Sequence, residues 1–301
     1  MKTSEYPYYQ PSFSEYNRAQ STAIPFLDKD NNLVISFATA AGKTVLAEGC
    51  FAYHLQASRD CKVIYVSPFR SLTSEKYDTW RKEPQFARYG LAISTGDTDT
   101  NILEEDARLI LTTSESFDSK TRSAVYRNLL KKTACVVFDE AHLMGEKHRG
   151  GAVEMSIIRM TMINPQARII LLSATMNNAM ELAKWVKSLN GKETKCIRSS
   201  WRPAKVEKTY HSVENYEEKV SKAVELAKAS QWFKTVVFVH SKITGAEIVK
   251  RLREAKVRTA FHNASLPAGK RKMIEAKFNE RMSGLNVLIS TSTLSAGVNI
   301  G

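Results

Sequence analysis

The segment Ala40-Ala41-Gly42-Lys43-Thr44 restricts the fold more than any other stretch of the chain. It follows the apolar run Leu33-Val34-Ile35-Ser36-Phe37 and precedes a helix-like stretch at 45–55. Strand, tight turn and helix in that order make a phosphate cradle, because backbone N–H groups and a helix N-terminus converge on an anion. In such a cradle Lys43 reaches the β- and γ-phosphates and the Thr44 hydroxyl ligates Mg²⁺. The usual loop begins with a glycine separated by four residues from Gly-Lys-Ser/Thr. Phe37 stands at that first position here, so the loop alone is an imperfect match.

A second segment, Asp139-Glu140-Ala141-His142, follows another buried-strand pattern, Ala134-Cys135-Val136-Val137-Phe138. A carboxylate at the carboxyl end of a neighbouring strand supplies the second Mg²⁺ contact, and Asp139 fits that role. Glu140 either positions or activates the attacking water. Each segment also has a bland reading. Gly-Lys-Thr recurs by chance, and Asp-Glu after a strand is often a solvated turn. Together the two read as a nucleoside triphosphatase that uses Mg²⁺.

Strand-like runs at 33–37, 63–67, 91–94, 109–112, 134–138 and 169–172 alternate with helix-like ones. The helices fall at 45–55, 72–81, 121–131, 152–161 and 178–188. This alternation predicts an α/β fold with a mainly parallel sheet and helices on both faces. Ligands bind beyond the carboxyl ends of such strands, where both segments lie. The polar stretch Arg198-Ser199-Ser200-Trp201-Arg202-Pro203 divides the chain into domains at 1–203 and 204–301. A second pattern follows, with strands at 206–211, 235–239, 257–261 and 286–290, and helices at 216–229, 244–255 and 268–281. The Tyr/Pro-rich first dozen residues either wander or pack beside the nucleotide.

A hydrophobic content of 43% with 25% charged residues is that of a soluble globular protein. No apolar stretch is long enough for a membrane span, and no signal-peptide core opens the chain, so no membrane partner is expected. Cys50, Cys61, Cys135 and Cys196 lack paired spacing, which favours reduced thiols and a cytoplasmic or nuclear location. The net charge of +13 is unevenly spread: from Val206 onward there are 16 Lys/Arg against 9 Asp/Glu. A basic surface favours polyanions such as nucleic acid, although basic character alone also serves solubility.

Taken in order, the motifs resemble those of a superfamily 2 DEAD/DEAH-type helicase. The likeness is to the Ski-like branch, with the archaeal DNA-repair helicases and the helicase part of DNA polymerase theta. It runs from about residue 13 to the end. Gln20 looks like the family's adenine-reading glutamine, whose amide pairs with N6 and N7 and favours ATP over GTP. The plainer reading is a surface glutamine at a helix start. Ser67-Pro68-Phe69-Arg70-Ser71-Leu72, Gly96-Asp97-Thr98-Asp99 and Thr112-Thr113-Ser114-Glu115 are similar to the nucleic-acid motifs of the first lobe. Ser173-Ala174-Thr175 resembles motif III, which implies that Ser173 and Thr175, with His142, couple the triphosphate site to the strand-binding surface.

In the second block, Val239-His240-Ser241 looks like motif IV, and Phe261-His262-Asn263-Ala264-Ser265-Leu266 like the segment after it, with Ser265 where glycine is usual. His240 and His262 read better as structural than as catalytic residues. Ser290-Thr291-Ser292-Thr293-Leu294-Ser295-Ala296-Gly297-Val298-Asn299 resembles motif V, which touches nucleic acid and nucleotide. Ala38 replaces a frequent proline and Ala40 a frequent glycine.

The resemblance implies two RecA-like P-loop lobes gripping single-stranded nucleic acid in their cleft, with DNA favoured over RNA, 3′→5′ movement and a role in DNA repair. Arg70, Thr113, Ser241 and Thr293 face the strand, and Ala40, Ala41, Gly42, Lys43, Thr44, Gln20 and Gly297 the nucleotide. Motif VI, whose arginines reach the γ-phosphate, is not found after motif V. An arginine finger contributes about 10³–10⁵ in rate. The expectation is therefore an incomplete second lobe, with C-terminal domains or a protein partner elsewhere. The alternatives are a nucleic-acid-binding, ATP-binding module with little turnover, and an unrelated P-loop ATPase acting on protein or solute.

Overall fold

The computed structural model describes residues 1–95, 106–146 and 150–291. The chain divides into two compact units, Met1–Val206 and Glu207–Gly301. In the first, α1 (Arg18–Ala23) precedes β1 (Asn32–Phe37), α2 (Lys43–Ala57), β2 (Lys62–Ser67), α3 (Arg70–Trp80) and the short α4 (Pro84–Ala87). Then come β3 (Leu91–Ser94), β4 (Leu109–Thr113), α5 (Ser114–Arg122), α6 (Arg127–Lys131) and β5 (Thr133–Phe138). The unit ends with α7 (Gly150–Ile163), β6 (Arg168–Ser173), α8 (Ala179–Asn190) and β7 (Thr194–Ser199).

These strands form one sheet in the order β3-β4-β2-β5-β6-β1-β7, parallel at every pairing. A parallel sheet needs crossover helices on its faces, so its inner strands are apolar on both sides. Leu33, Ile35, Val63, Val137 and Leu172 join a core with Phe51 of α2 and Trp80 of α3. The alternate residues Val34, Ile64, Val136 and Leu171 pack with Phe117 of α5, Ile157 of α7 and Val186 of α8 on the other face. Burying each such side chain contributes about 1.5–3 kcal/mol.

The N-terminal segment lies against α2. The Tyr6 hydroxyl donates to the Gly49 carbonyl at 3.1 Å, and Gln56 Nε2 donates to the Tyr8 carbonyl at 2.6 Å. Arg168 at the start of β6 is fully buried. Its guanidinium donates to the carbonyls of Phe26, Leu27 and Asn31, the last at 2.6 Å, and so holds the turn between α1 and β1.

The second unit comprises α9 (Tyr216–Ala229), β8 (Thr235–Phe238), α10 (Lys242–Glu254), β9 (Thr259–His262), α11 (Ala268–Asn279) and β10 (Val287–Ser290). Its parallel sheet runs β8-β10-β9. Val220 of α9 and Ile248 of α10 pack on Val287 and Ile289, while Phe278 of α11 meets Leu288 on the opposite face.

Three expectations are corrected. Residues 206–211 form no strand, with Val206 and Tyr210 exposed; alternation without a pairing neighbour makes no sheet. β7, absent from the expected set, is an edge strand that buries little besides Ile197, so its Lys195 and Arg198 masked the pattern. The helix expected over 121–131 is interrupted: Ser123 is extended, and a 3₁₀ turn at Ala124–Tyr126 separates α5 from α6. Among the described residues, no helix is long and apolar enough to cross a membrane.

Candidate nucleotide and nucleic-acid site

β1 ends in Phe37, fully buried in the core, so the position of the usual first glycine is here the strand's last packing residue. The loop turns after it. Ala40 has φ 63° and Gly42 φ 79°, so the chain enters α2 through two left-handed residues. Ala40 takes this conformation at a cost of about 1–2 kcal/mol relative to glycine. α2 starts at Lys43, leaving the N–H groups of its first turn without intrahelical partners and available to an anion. Lys43 and Thr44 are half-buried.

α1 clasps this loop. Asn17 and Gln20 cap each other: the Gln20 N–H donates to Asn17 Oδ1 at 2.9 Å and the Asn17 N–H to Gln20 Oε1 at 3.0 Å. Their amide nitrogens then donate to the loop, Asn17 Nδ2 to the Ala41 carbonyl at 3.1 Å and Gln20 Nε2 to the Gly42 carbonyl at 3.2 Å. Gln20 is 4% exposed, which disposes of the surface-glutamine reading. A Cβ on Gly42 would sit 2.3 Å from Gln20 Nε2. A side chain there would strain the backbone and displace the Gln20 amide.

Asp139 follows β5, Ser173 ends β6, and the loop follows β1, three adjacent strands with their carboxyl ends together. Asp139 Oδ1 accepts the Glu140 N–H at 2.9 Å, and Oδ2 accepts the hydroxyl of Tyr65 from β2. Glu140 has φ 50°, a strained conformation for a residue with a side chain. Burial raises its carboxyl above the usual range and the charge of Asp139 adds to this, while Lys43 and His142 oppose it. His142 Nδ1 lies 3.5 Å from Glu140 Oε2 and accepts the Ala174 N–H at 3.4 Å. The Ser36 hydroxyl donates to the Ala174 carbonyl at 3.2 Å and accepts the Met176 N–H at 3.0 Å. The Ser-Ala-Thr loop is thereby tied to both β1 and His142; Ser173 is buried and Thr175 exposed.

Oxygen donors such as the Thr44 hydroxyl and the Asp139 carboxylate suit Mg²⁺, which takes few protein ligands when phosphates supply the rest. Among the described residues, no group of three or more His, Cys, Asp or Glu is arranged to hold a metal.

At the ends of β2 and β4, Pro68, Phe69, Arg70, Thr113 and Glu115 line one open groove. Arg70 opens α3 and is exposed. Thr113 is buried, and its hydroxyl caps α5 by accepting the Ser116 N–H at 3.3 Å. In the second unit Ser241 is exposed and caps α10, accepting the Thr244 N–H at 3.0 Å. Ser265 donates its N–H to Asn263 Oδ1 at 3.0 Å and accepts from Lys242 Nζ through its hydroxyl, two bonds that form its turn without glycine. His262 is buried against Glu275 at 2.8 Å, in keeping with a structural histidine. The segment 96–99, Thr293 and Gly297 lie outside the described residues. Tyr65, Asn17 and Ser36 escaped sequence reasoning. Only Asn17 carried a signal, the cap-and-glutamine spacing of a helix start.

A parallel sheet with a phosphate loop after β1 and a carboxylate pair after β5 defines a P-loop nucleoside-triphosphatase fold. Residues 17–182 match the DEAD/DEAH box helicase family, and residues 218–301 the helicase conserved C-terminal domain. The chain belongs to the DEAD/DEAH box helicase family. It is 30% identical to the ATP-dependent DNA helicase Hel308 of Thermoplasma volcanium, over 93% of this chain and 45% of that protein. It is 28% identical to the ATP-dependent DNA helicase MER3 of Saccharomyces cerevisiae, over 96% of this chain and 27% of the other. The chain thus spans less than half the length of these relatives. The helicase MrfA bound to DNA superposes with a TM-score of 0.75 at 20% identity, covering 96% of this chain and 44% of MrfA. Saccharomyces cerevisiae Dbp5 bound to RNA and ADP BeF3 gives 0.70 at 21% identity, covering 96% and 73%. Both units have the RecA-like α/β character of helicase lobes.

Proposed function

We propose that the chain is the ATP-driven motor part of a DNA helicase, moving 3′→5′ on single-stranded DNA. The observation that carries this reading is the meeting of the phosphate loop, the Asp139-Glu140 pair and the Ser173 loop at the carboxyl ends of β1, β5 and β6. Lys43 and the N–H groups at the start of α2 bind the β- and γ-phosphates. Thr44 and Asp139 would hold Mg²⁺, which would neutralise charge on the phosphate oxygens. Glu140 orients the attacking water and takes its proton, and Gln20 reads adenine from its seat on the loop. His142, with Ser173 and Thr175, passes the state of Glu140 to the strand-binding surface. Arg70, Thr113 and Ser241 are the candidate contacts to nucleic acid.

DNA is preferred because the curated relatives are named DNA helicases; Dbp5 bound to RNA shows that the fold also serves RNA. Titration of single-stranded DNA and RNA of one sequence, with a non-hydrolysable ATP analogue, tests this. Tighter RNA binding would overturn the preference. Arg70→Ala is expected to weaken DNA binding and to flatten the plot of log affinity against log salt by about 0.7, the change for one fewer phosphate neutralised on a single strand. An unchanged slope would remove Arg70 from the interface.

Gly42→Ala is expected to lower ATP affinity by about tenfold or more, read by fluorescent-nucleotide titration. The added methyl meets Gln20 Nε2 at 2.3 Å in a backbone conformation that alanine resists. Wild-type affinity in this variant would mean that nucleotide does not use this loop.

A further inference from the structure

Tyr65 is the one fully buried aromatic residue of β2, in the run Lys62-Val63-Ile64-Tyr65-Val66-Ser67. It pairs in register with Val137 of β5, so Asp139 lies two residues further along the neighbouring strand and on the same face. The phenol reaches forward and donates its O–H to Asp139 Oδ2. Its ring is fixed edge-on between Phe51 of α2 and Trp80 of α3, with centroids at 6.1 and 5.1 Å. Trp80 is itself held, its Nε1–H donating to Glu48 Oε1 of α2 at 2.7 Å. The Glu140 N–H occupies Asp139 Oδ1 at 2.9 Å. The carboxylate is therefore gripped at both oxygens from two directions.

Packing does not explain the hydroxyl. A phenylalanine would fill the same space without burying a polar atom, and burying one is costly unless it is bonded. The oxygen has a partner only because it meets a carboxylate, in a charge-assisted bond.

We infer that Tyr65 is a positioning residue of the nucleotide site: its hydroxyl sets the rotation of the Asp139 carboxylate and so presents it to the divalent cation that accompanies ATP. This rests on the reading of Asp139 as a cation contact. Groups that orient ligands in this way typically govern metal affinity by 10–100-fold.

The test measures Mn²⁺ binding to the full chain with a non-hydrolysable ATP analogue, reading free Mn²⁺ by electron paramagnetic resonance. Tyr65→Phe is expected to raise the half-saturating Mn²⁺ concentration about tenfold. Analogue binding in EDTA and the thermal midpoint are expected to stay unchanged. Asp139→Asn raises it at least as much, and the double variant adds nothing, because the tyrosine acts through the aspartate. An effect of Asp139→Asn with none of Tyr65→Phe overturns the inference and spares the proposed function. A Tyr65→Phe effect that persists in the double variant overturns it as well. No effect of Asp139→Asn removes both this inference and the reading of Asp139.

Discussion

Glu140→Gln is expected to lower ATP turnover by about 10²–10⁴-fold, the range in which a positioned acid–base group contributes. The change keeps the shape of the side chain and removes its ability to take a proton. Nucleotide affinity should survive, since the phosphate loop, Lys43 and Asp139 are untouched. The backbone around Glu140 supports a dedicated role: φ of 50° is held in place by its own N–H on Asp139. His142 at 3.5 Å gives the carboxylate a neighbour that shares its link to the Ala174 loop. Because burial and Asp139 raise the Glu140 carboxyl, the base form is lost on acidification at a higher pH than for an ordinary glutamate. Turnover at saturating ATP should therefore fall on acidification at a higher pH than an ordinary glutamate base would give. Steady-state hydrolysis beside fluorescent-nucleotide binding checks this. A loss under tenfold would return Glu140 to the solvated-turn reading.

Arg168→Met should destabilise the first unit by roughly 3–5 kcal/mol. Removing the guanidinium takes the Arg168 donor from the buried carbonyls of Leu27 and Asn31, at about 1–3 kcal/mol for each unsatisfied group before relaxation, while the Phe26 carbonyl keeps the Lys29 N–H. Methionine fills much of the volume, so the effect reports hydrogen bonds more than a cavity. The turn that Arg168 holds joins α1, which carries Gln20, to β1, which carries the loop. Loss of ATP affinity should therefore accompany the loss of stability. Urea unfolding of the two proteins measures the first effect; a change below about 1 kcal/mol would contradict it.

The strands that build the site were legible because they are buried on both faces. β1, β2, β5 and β6 read as near-continuous apolar runs, and each is followed by a turn with a chemical signature. β7 was illegible for the opposite reason: an edge strand keeps charged side chains in water and mimics a loop. The alternation at 206–211 misled because a period of two marks a strand only when a neighbour covers one face. Within the site, Lys43, Thr44, Asp139 and Glu140 announce themselves by residue type and order. Tyr65 and Arg168 do not: a tyrosine in a strand reads as packing, and an arginine at a strand start as surface charge. Glu48 is hidden in the same way, sitting in the apolar run of α2 with its oxygens taken by Tyr9 and Trp80. Their partners are brought close only by strand register and helix packing, long-range relations with no local pattern. Ala40 shows a further limit, since an alanine does not itself announce a φ of 63°, and only the glycine frequent at this position in the family does.

The most direct measurement is steady-state ATP hydrolysis by the chain with and without single-stranded DNA, with the Glu140→Gln protein as blank. A rate raised several-fold by the DNA and absent from the blank is the predicted result. A rate indifferent to nucleic acid, or no turnover above the blank, would contradict the assignment of a nucleic-acid-driven motor.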